Sequence, residues 1–597
     1  MNKRIIALTF LTGLLLRLLM GLQGIDHTDA GFSNTFYLNI FEHPASMPYN
    51  FNYYLTGLLG GIWQQLFGGM GLQGFRVLEA LTLTGAIFFS YMAFRRQIAS
   101  TGIAAAAILL SFLFPSIVIT FHYNTLSFLL MALATWLYAL SLQRAKDGWL
   151  FLSAMVIGIS IFARIVNGVL LGAIIIPFLQ GWHQQSLRRG LIRATTFAGG
   201  AITGIALVLL LMLSLGHLPV FIEGFTDAFG FFSEGGNSHA SGNLFFVYLK
   251  SYVNLALQML ILALLGMSYA YIREKKRISV LLLNFLFFIA VLVLTLTSLP
   301  YLTALGGCTL LCIILLASEK IENGELSNPQ FSTSSHKWTI GYAIALTFLF
   351  PFGSDIGVPG IYHWIAALMI MPAATTLIEN GEWRMENYDY TPNTNSSRKS
   401  NHNSQSSILN PQFEAAKSNH NSQFSILNSQ LKIVSLSIAL CMLGKIMSKP
   451  YGEEHSRLEC TKTVQDGRLN TLTTADNVAV YREVIAQIEA HAADNPWLVL
   501  GNQASELFYA TGRLPFLGNT QLGTYTDEAL IRRLDNRFTQ YHVLPTVVFL
   551  KDRQFVQDDD ESEQVQATLR RWMASHDYET AFDNQHLTIF TFCNHQE

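Results

Sequence analysis

The chain has 597 residues, of which 51% are hydrophobic and 13% are charged, and its formal net charge is −2. Several apolar runs reach the roughly 20 residues that an α-helix needs to cross about 30 Å of hydrocarbon, so the composition predicts an integral membrane protein. The near-neutral charge lacks the basic character of nucleic-acid-binding proteins, and we expect no nucleic acid among the partners.

The first apolar run, residues 4–24, follows Lys3 and Arg4 and contains Arg17. It has no small-residue cleavage site, so we interpret it as a retained anchor and not as a cleaved signal peptide. Further apolar runs lie near residues 74–94, 102–121, 124–143, 148–164, 167–182, 194–215, 249–272, 278–298, 301–318, 338–353, 361–378 and 432–448. Together they predict about 13 membrane spans.

Basic side chains gather in every second connection between these spans. They are Lys3 and Arg4; Arg95 and Arg96; Arg144 and Lys146; Arg188, Arg189 and Arg193; Arg273, Lys275, Lys276 and Arg277; and Lys320 with Lys337. Such an excess is typical of cytoplasmic loops. We therefore expect a multi-pass protein of the inner (cytoplasmic) membrane with a cytoplasmic N-terminus. The loop after the first span, the loop at residues 216–248 and the C-terminal part should face the periplasm.

Composition divides the chain into four parts. Residues 1–378 form the predicted transmembrane domain, 379–431 a Ser-, Asn- and Gln-rich cytoplasmic linker with a tandem near-repeat, 432–448 the last span, and 449–597 a soluble periplasmic domain. In the last part the strands WLVLG, TVVFL and LTIFTF alternate with helices near 478–492, 504–509, 527–536 and 562–574. The predicted fold is thus a mainly α, polytopic membrane helix bundle followed by a small α/β domain.

Two cysteines, Cys460 and Cys593, lie near the two ends of the soluble domain. In an oxidising compartment we expect them to form a disulfide. Two unpaired thiols are the alternative, because pairing cannot be deduced from sequence.

Two acids, Asp26 and Asp29, directly follow the first span and flank His27. Ionisable groups at a membrane surface are functional-site candidates. Aromatic and amide residues around them suit sugar rings, and a partly desolvated aspartate could act as general base for an acceptor hydroxyl. The alternative is an ordinary loop acid or a helix N-cap, since the following residues also resemble the start of a helix.

Three cations, Arg76, Arg164 and Lys250, fall at outer ends of spans, where positive charge is otherwise scarce. They predict an anionic ligand such as the phosphate of a lipid-linked sugar donor, which arginine binds through paired hydrogen bonds. His122 and His239 belong to the same predicted face and would contribute proton transfer or phosphate contacts. Snorkelling to lipid headgroups is the alternative for each residue alone.

Asp355 lies in a short outer loop beside flexible glycines. It could close the site from the far side or share a divalent cation with Asp26 or Asp29. A capped turn is the simpler interpretation, and the sequence does not require a metal or any other cofactor.

The layout of residues 1–378 resembles the GT-C superfamily of membrane glycosyltransferases, which includes protein O-mannosyltransferases and aminoarabinose transferases. The segment TDAGFSNTFYLNI resembles the acid-bearing first loop of that family, FRVLEALTLTGAIFFSYMAFRR its arginine-led second span, and FARIVNGVLL its Arg-x-x-Asn segment. The resemblance implies that Asp29, or else Asp26, is catalytic and that Arg76, Arg164 and Asn167 belong to the site. Ala30 replaces the family's second acid.

These patterns predict a glycosyltransferase that moves a sugar from a polyprenyl-phosphate-linked donor to a lipid, glycan or protein acceptor on the periplasmic face, with inversion at the anomeric carbon. A transporter or lipid-glycan flippase is the main alternative. No repeated halves are evident, and we expect Arg17 to be the only ionisable residue inside a span. A membrane scaffold with a periplasmic binding module is the third interpretation.

Overall fold

The computed structural model describes residues 2–26, 29–98, 100–113, 119–233, 241–275, 278–297, 333–354, 357–362, 364–375 and, with short gaps, 429–592. Of these described residues 73% are helical, and the C-terminal part contains a small sheet. This confirms the coarse fold class predicted from the sequence.

The N-terminal part is a bundle of helices. The described helices are α1 Lys3–Met20, α2 Asp29–Asn39, α3 Tyr54–Phe67, α4 Leu72–Phe94, α5 Thr101–Leu113, α6 Tyr123–Gln143, α7 Asp147–Ser160, α8 Ile175–Gln184, α9 Leu187–Ser214, α10 Leu218–Ser233, α11 Ser241–Glu274, α12 Val280–Thr297, α13 Thr333–Leu349, α14 Gly357–Tyr362 and α15 Ala367–Ala374. A 3-10 helix, Ile165–Ile174, leads directly into α8.

Five helical segments in the described part of the chain are long and apolar enough to cross a membrane. They are Leu72–Phe94, Tyr123–Gln143, Ile165–Gln184, Leu187–Ser214 and Asn243–Glu274. Shorter apolar helices accompany them, among them Thr101–Leu113, Asp147–Ser160 and Val280–Leu296. By their length and composition these helices suggest a membrane protein, and the number of about 13 spans stays a prediction.

Helix α1 has one exposed apolar face and one buried face. Ile5, Leu8, Leu15 and Leu19 form an exposed apolar stripe at helical spacing, which suits a hydrocarbon surrounding better than water. The opposite face buries Arg17.

Arg17 pairs with Glu79 of α4 inside the bundle. The guanidinium donates to the two carboxylate oxygens at 2.7 and 3.0 Å, and both side chains are 0% exposed. The prediction that Arg17 would be the only ionisable residue within a span is therefore wrong. Charges of opposite sign tolerate such burial when their hydrogen bonds are made to each other.

The C-terminal part contains a mixed five-stranded sheet with strand order β4-β3-β5-β7-β6. Its strands are β3 Trp497–Leu500, β4 Leu514–Pro515, β5 Thr546–Leu550, β6 Tyr578–Asp583 and β7 Leu587–Phe592, and its helices are α16 Ala475–His491, α17 Glu506–Thr511, α18 Asp527–Tyr541 and α19 Asp559–Met573. A separate hairpin joins β1 Lys462–Val464 to β2 Thr471–Thr473. The predicted alternation of strands and helices is confirmed.

This C-terminal unit is attached to the loop that follows α1. Leu472 of β2 accepts the N–H of Gly24 at 2.8 Å and donates to the carbonyl of Leu22 at 2.9 Å. Gly31 of α2 packs so closely on α17 that an added Cβ would lie 2.0 Å from the backbone nitrogen of Glu506. The loop after α1 and the C-terminal unit thus lie at the same end of the bundle.

Candidate functional site

Asp26 caps helix α2. The residue is 7% exposed, and its carboxylate oxygens accept the backbone N–H groups of Asp29 at 3.2 Å and Ala30 at 3.0 Å. The first N–H groups of a helix lack partners within the helix, so a carboxylate there satisfies them and complements the helix dipole. Asp26 therefore fixes the point at which α2 begins.

Asp29 is the first residue of α2 and is half-buried. The N-terminal turn of a helix favours the ionised carboxylate. Of the two acids Asp29 is the more exposed, since Asp26 is only 7% exposed, and its position therefore better suits contact with a substrate.

Arg76 lies near the start of α4 and is buried. Its guanidinium donates to the carbonyl of Gly21 at 2.5 Å, to the hydroxyl of Thr471 at 2.6 Å and to the carbonyl of Gly24. A single side chain therefore joins α1, the loop before α2 and the C-terminal unit to α4.

Asp26, Glu453 and Arg457 lie close enough to Arg76 to act on it electrostatically. Glu453 is also buried and accepts the backbone N–H of Ile25 at 3.1 Å. We call these four charged residues the ionic junction; its two carboxylates balance its two guanidinium groups. The structure thus brings Asp26 and Arg76 together, within a packed interface.

His122 precedes α6 and is 2% exposed. Its Nδ1 accepts the N–H of Asn124 at 3.4 Å, so the ring proton belongs on Nε2, which is buried without a hydrogen-bond partner among the described residues. Burial, and then the positive charge of Arg164, lower the pKa of His122 to about 3. The ring is therefore neutral at ordinary pH and offers Nε2–H as a donor.

Arg164 is held next to His122 by the segment that follows α13. Its guanidinium donates to the carbonyls of Phe350 at 3.0 Å and Phe352 at 3.3 Å and lies 5.3 Å from the centre of the Phe350 ring. His122 also stacks on Trp364 with ring centroids 5.6 Å apart. Backbone carbonyls thus fix Arg164 close enough to His122 to lower its pKa.

Asn167 lies one turn of 3-10 helix after Arg164 and extends this group. Its amide donates to the hydroxyl of Ser127 at 2.8 Å, yet its Oδ1 is buried without a partner in the described structure, as are Asn124 Oδ1 and Thr125 Oγ1. Positions 124 and 127 share one face of α6, so Asn124 lies on the same face as the Ser127 hydroxyl to which Asn167 donates. We call His122, Asn124, Thr125, Arg164 and Asn167 the polar cluster.

Helix α2 connects the polar cluster with the two acids. The hydroxyl of Thr120 donates to Asn34 at 3.3 Å, and the Tyr37 hydroxyl donates to the carbonyl of Phe121 at 2.9 Å. Asn34 lies only about 7.5 Å from Asp29 along the helix axis. The acids and the polar cluster therefore occupy the same end of the bundle, on the side of the C-terminal unit.

Lys250 is not part of this group. On α11, Tyr248 and Tyr252 donate to the carbonyl of Phe348 at 3.0 and 2.5 Å. Lys250 lies midway between them in sequence and is exposed, so it points away from the segment that binds Arg164.

Four predicted residues, His27, His239, Asp355 and Cys593, lie outside the described residues, and the roles assigned to them stay predictions. Cys460 is buried, and burial followed by the charge of Glu453 raises the pKa of its thiol to about 11. Within the described ranges no three His, Cys, Asp or Glu side chains are grouped to hold a metal ion.

Sequence reasoning missed Glu453 and Arg457, which complete the ionic junction from the far end of the chain, and Thr471, whose hydroxyl accepts a hydrogen bond from Arg76. It also missed Asn124 and Thr125. The signal for this last pair was available, because two polar residues follow His122 at the start of an apolar run.

No protein-family model matches the chain, and a search of the curated proteins finds no significant match. The resemblance to GT-C enzymes therefore rests on the short motifs and on the layout of the spans.

Proposed function

We propose that the protein is a membrane glycosyltransferase of GT-C type, which moves a sugar from a polyprenyl-phosphate-linked donor to an acceptor at the periplasmic surface. The observation that carries this proposal is the polar cluster. It places buried hydrogen-bonding groups without partners beside a fixed cation, at the end of the bundle where Asp29 begins α2.

A buried polar atom without a partner costs about 1–3 kcal/mol, and a bound ligand can supply the missing partner. Such atoms occur at several places in the described structure, and the polar cluster is the place where they lie on neighbouring residues at the end of the bundle that holds Asp29. Four of them occur within the polar cluster: His122 Nε2, Asn124 Oδ1, Thr125 Oγ1 and Asn167 Oδ1. The two amide oxygens can accept hydrogen bonds from sugar hydroxyls, and the neutral imidazole N–H can donate one to a phosphate or sugar oxygen. A sugar phosphate has both kinds of group.

In the proposed reaction the donor phosphate lies against Arg164 and His122 Nε2–H. The acceptor hydroxyl oxygen attacks the anomeric carbon, the bond from that carbon to the phosphate oxygen breaks, and the hydroxyl proton passes to Asp29. The charge that develops on the departing polyprenyl phosphate is stabilised by Arg164, and direct displacement inverts the anomeric carbon. A positioned general base of this kind contributes about 100- to 10,000-fold to the rate.

Within this proposal Asp26 and Arg76 are positioning residues, since Asp26 caps α2 and Arg76 joins α1 and the C-terminal unit to α4. Arg164 takes the phosphate role that the sequence also assigned to Arg76 and Lys250. The periplasmic location of this end of the bundle rests on the distribution of basic loops.

The test uses full-length protein in liposomes with a panel of radiolabelled undecaprenyl-phosphate-linked sugars and membrane lipid as acceptor. Asp29→Asn should lower label transfer by at least about 100-fold, and Arg164→Gln should do the same. Asp476→Asn is the matched control, because Asp476 is an exposed acid in the first turn of α16. Full transfer by Asp29→Asn would refute the mechanism.

A transporter or lipid-glycan flippase is the second candidate, and the buried Arg17–Glu79 pair favours it, because ionisable groups within spans often mark substrate paths. The same liposomes separate the two functions. A flippase would move the intact labelled lipid between leaflets, whereas a transferase releases undecaprenyl phosphate.

A further inference from the structure

We propose that a pocket at the opposite end of the bundle binds the phosphate group of an anionic lipid. The pocket lies where α4 and α6 end and has a volume of about 260 Å³. Its lining includes Arg95, Arg96, Arg144, Gln143, Met92 and Trp136. This inference does not depend on the proposed transferase activity.

The pocket combines concentrated positive charge with an apolar wall. Arg95, Arg96 and Arg144 are exposed and line a single cavity that has no carboxylate in its lining. Like charges held together repel each other unless an anion lies between them, and guanidinium groups match the geometry of phosphate oxygens. Met92 and Trp136 provide apolar surface next to the arginines.

The nearest acid along the chain is already engaged elsewhere. Asp147, which begins α7, binds Arg193 at 2.9 Å and Arg189 at 2.8 Å through its two carboxylate oxygens. Arg144 instead lies 5.1 Å from the centre of the Trp149 ring. Asp147 therefore pairs with Arg189 and Arg193 and does not neutralise the three arginines that line the pocket.

The position of the pocket favours a lipid over a soluble phosphate. Arg95 lies about 29 Å from Arg76 along α4, which is close to the thickness of the hydrocarbon layer. The pocket is therefore at the other membrane surface, which the basic loops predict to be cytoplasmic, where arginine-rich pockets between spans bind anionic headgroups. The apolar wall would contact the first part of the acyl chains.

The experiment measures lipid binding to the full-length protein in uncharged detergent by native mass spectrometry. The probes are dioleoyl phosphatidylglycerol, dioleoyl phosphatidylcholine, glycerol phosphate and inorganic phosphate. The pocket variant carries Arg95→Gln, Arg96→Gln and Arg144→Gln. The control variant carries Lys3→Gln, Arg4→Gln and Arg188→Gln, which removes the same charge from exposed positions outside the pocket.

We expect one phosphatidylglycerol to bind wild type and control equally and to bind the pocket variant at least tenfold more weakly. A second variant with lysine at the three positions keeps the charge and the fold, and should bind several-fold more weakly because it loses the paired hydrogen bonds. Equal binding to the pocket variant and the control, or equal binding of phosphatidylcholine, would overturn the proposal. Binding of glycerol phosphate or inorganic phosphate as tight as that of the lipid would show that the ligand is a soluble phosphate and would overturn the lipid assignment.

Discussion

The separate roles of the two acids give the sharpest prediction. Asp26→Ala removes the carboxylate that accepts the N–H groups of Asp29 and Ala30. Loss of an N-cap costs about 1–2 kcal/mol, and the two amides lie in a largely buried helix, so we take the upper value of about 2 kcal/mol. Since every 1.4 kcal/mol is a factor of ten, local opening of the first turn of α2 should become about 30-fold more frequent.

Hydrogen–deuterium exchange read by mass spectrometry measures this directly on peptides that cover residues 26–39. Asp26→Ala should exchange about 30-fold faster in the first turn, whereas Asp29→Asn keeps both of these hydrogen bonds, should change exchange much less and should lower transfer by at least about 100-fold. If Asp26→Ala exchanged at nearly the wild-type rate and still lost all transfer, Asp26 would be the chemical group and the assignment of Asp29 would be wrong.

Three further predictions concern the packing and protonation around the site. Gly31→Ala places a Cβ 2.0 Å from the Glu506 nitrogen, so it should lower the free energy of unfolding by about 1–3 kcal/mol. Gly69→Ala is the control, because no atom lies within 4 Å of a Cβ added there. Thermal unfolding measures the stability of both variants. Arg76→Lys keeps the charge but loses most of the hydrogen bonds to Gly21, Gly24 and Thr471. Limited proteolysis should therefore cleave the loop after α1 faster in this variant than in the wild type. Equal cleavage rates would contradict the role given to the ionic junction. In the folded protein the pKa of His122, about 3, lies below the ordinary value of 6.5. The contribution of His122 to the free energy of unfolding is therefore complete above pH 6.5 and is lost as the pH falls toward 3. His122→Gln should reduce the pH dependence of the free energy of unfolding in this range by up to about 1.4 kcal/mol per pH unit; the same pH dependence in the variant and the wild type, measured by chemical unfolding, would show that the ring is not buried in its neutral form.

Local pattern predicted the C-terminal unit well. The strands WLVLG, TVVFL and LTIFTF correspond to β3, β5 and β7, and each of the four predicted helices overlaps a described helix, α16 to α19. Strands β1, β2, β4 and β6 were missed. Strands β1, β2 and β4 have only two or three residues and are too short to show a pattern, and β6, Tyr578–Asp583, is polar and mostly exposed.

The bundle was harder to predict, because hydrophobicity reports which segments avoid water and not which side chains meet. The predicted run at 148–164 ends as a helix at Ser160, and the chain continues through the turn that holds Arg164. The link between Asp26 and the residues of the ionic junction that come after position 450 joins segments from opposite ends of the chain, and no local period records it. The Arg17–Glu79 pair was missed for the same reason.

The hydrogen bond between Arg76 and Thr471 joins residues 395 positions apart in sequence, so it can form only after that length of chain has been synthesised. At about 5–20 residues per second, translation needs roughly 20 to 80 s to supply the hydroxyl after the arginine has been made. During this interval Arg76, where α1 and α4 meet, lacks the Thr471 hydroxyl as hydrogen-bond acceptor. Formation of this hydrogen bond is therefore one of the final events in the maturation of the protein, and a nascent chain that stalls before β2 should be a preferred substrate for membrane quality-control proteases.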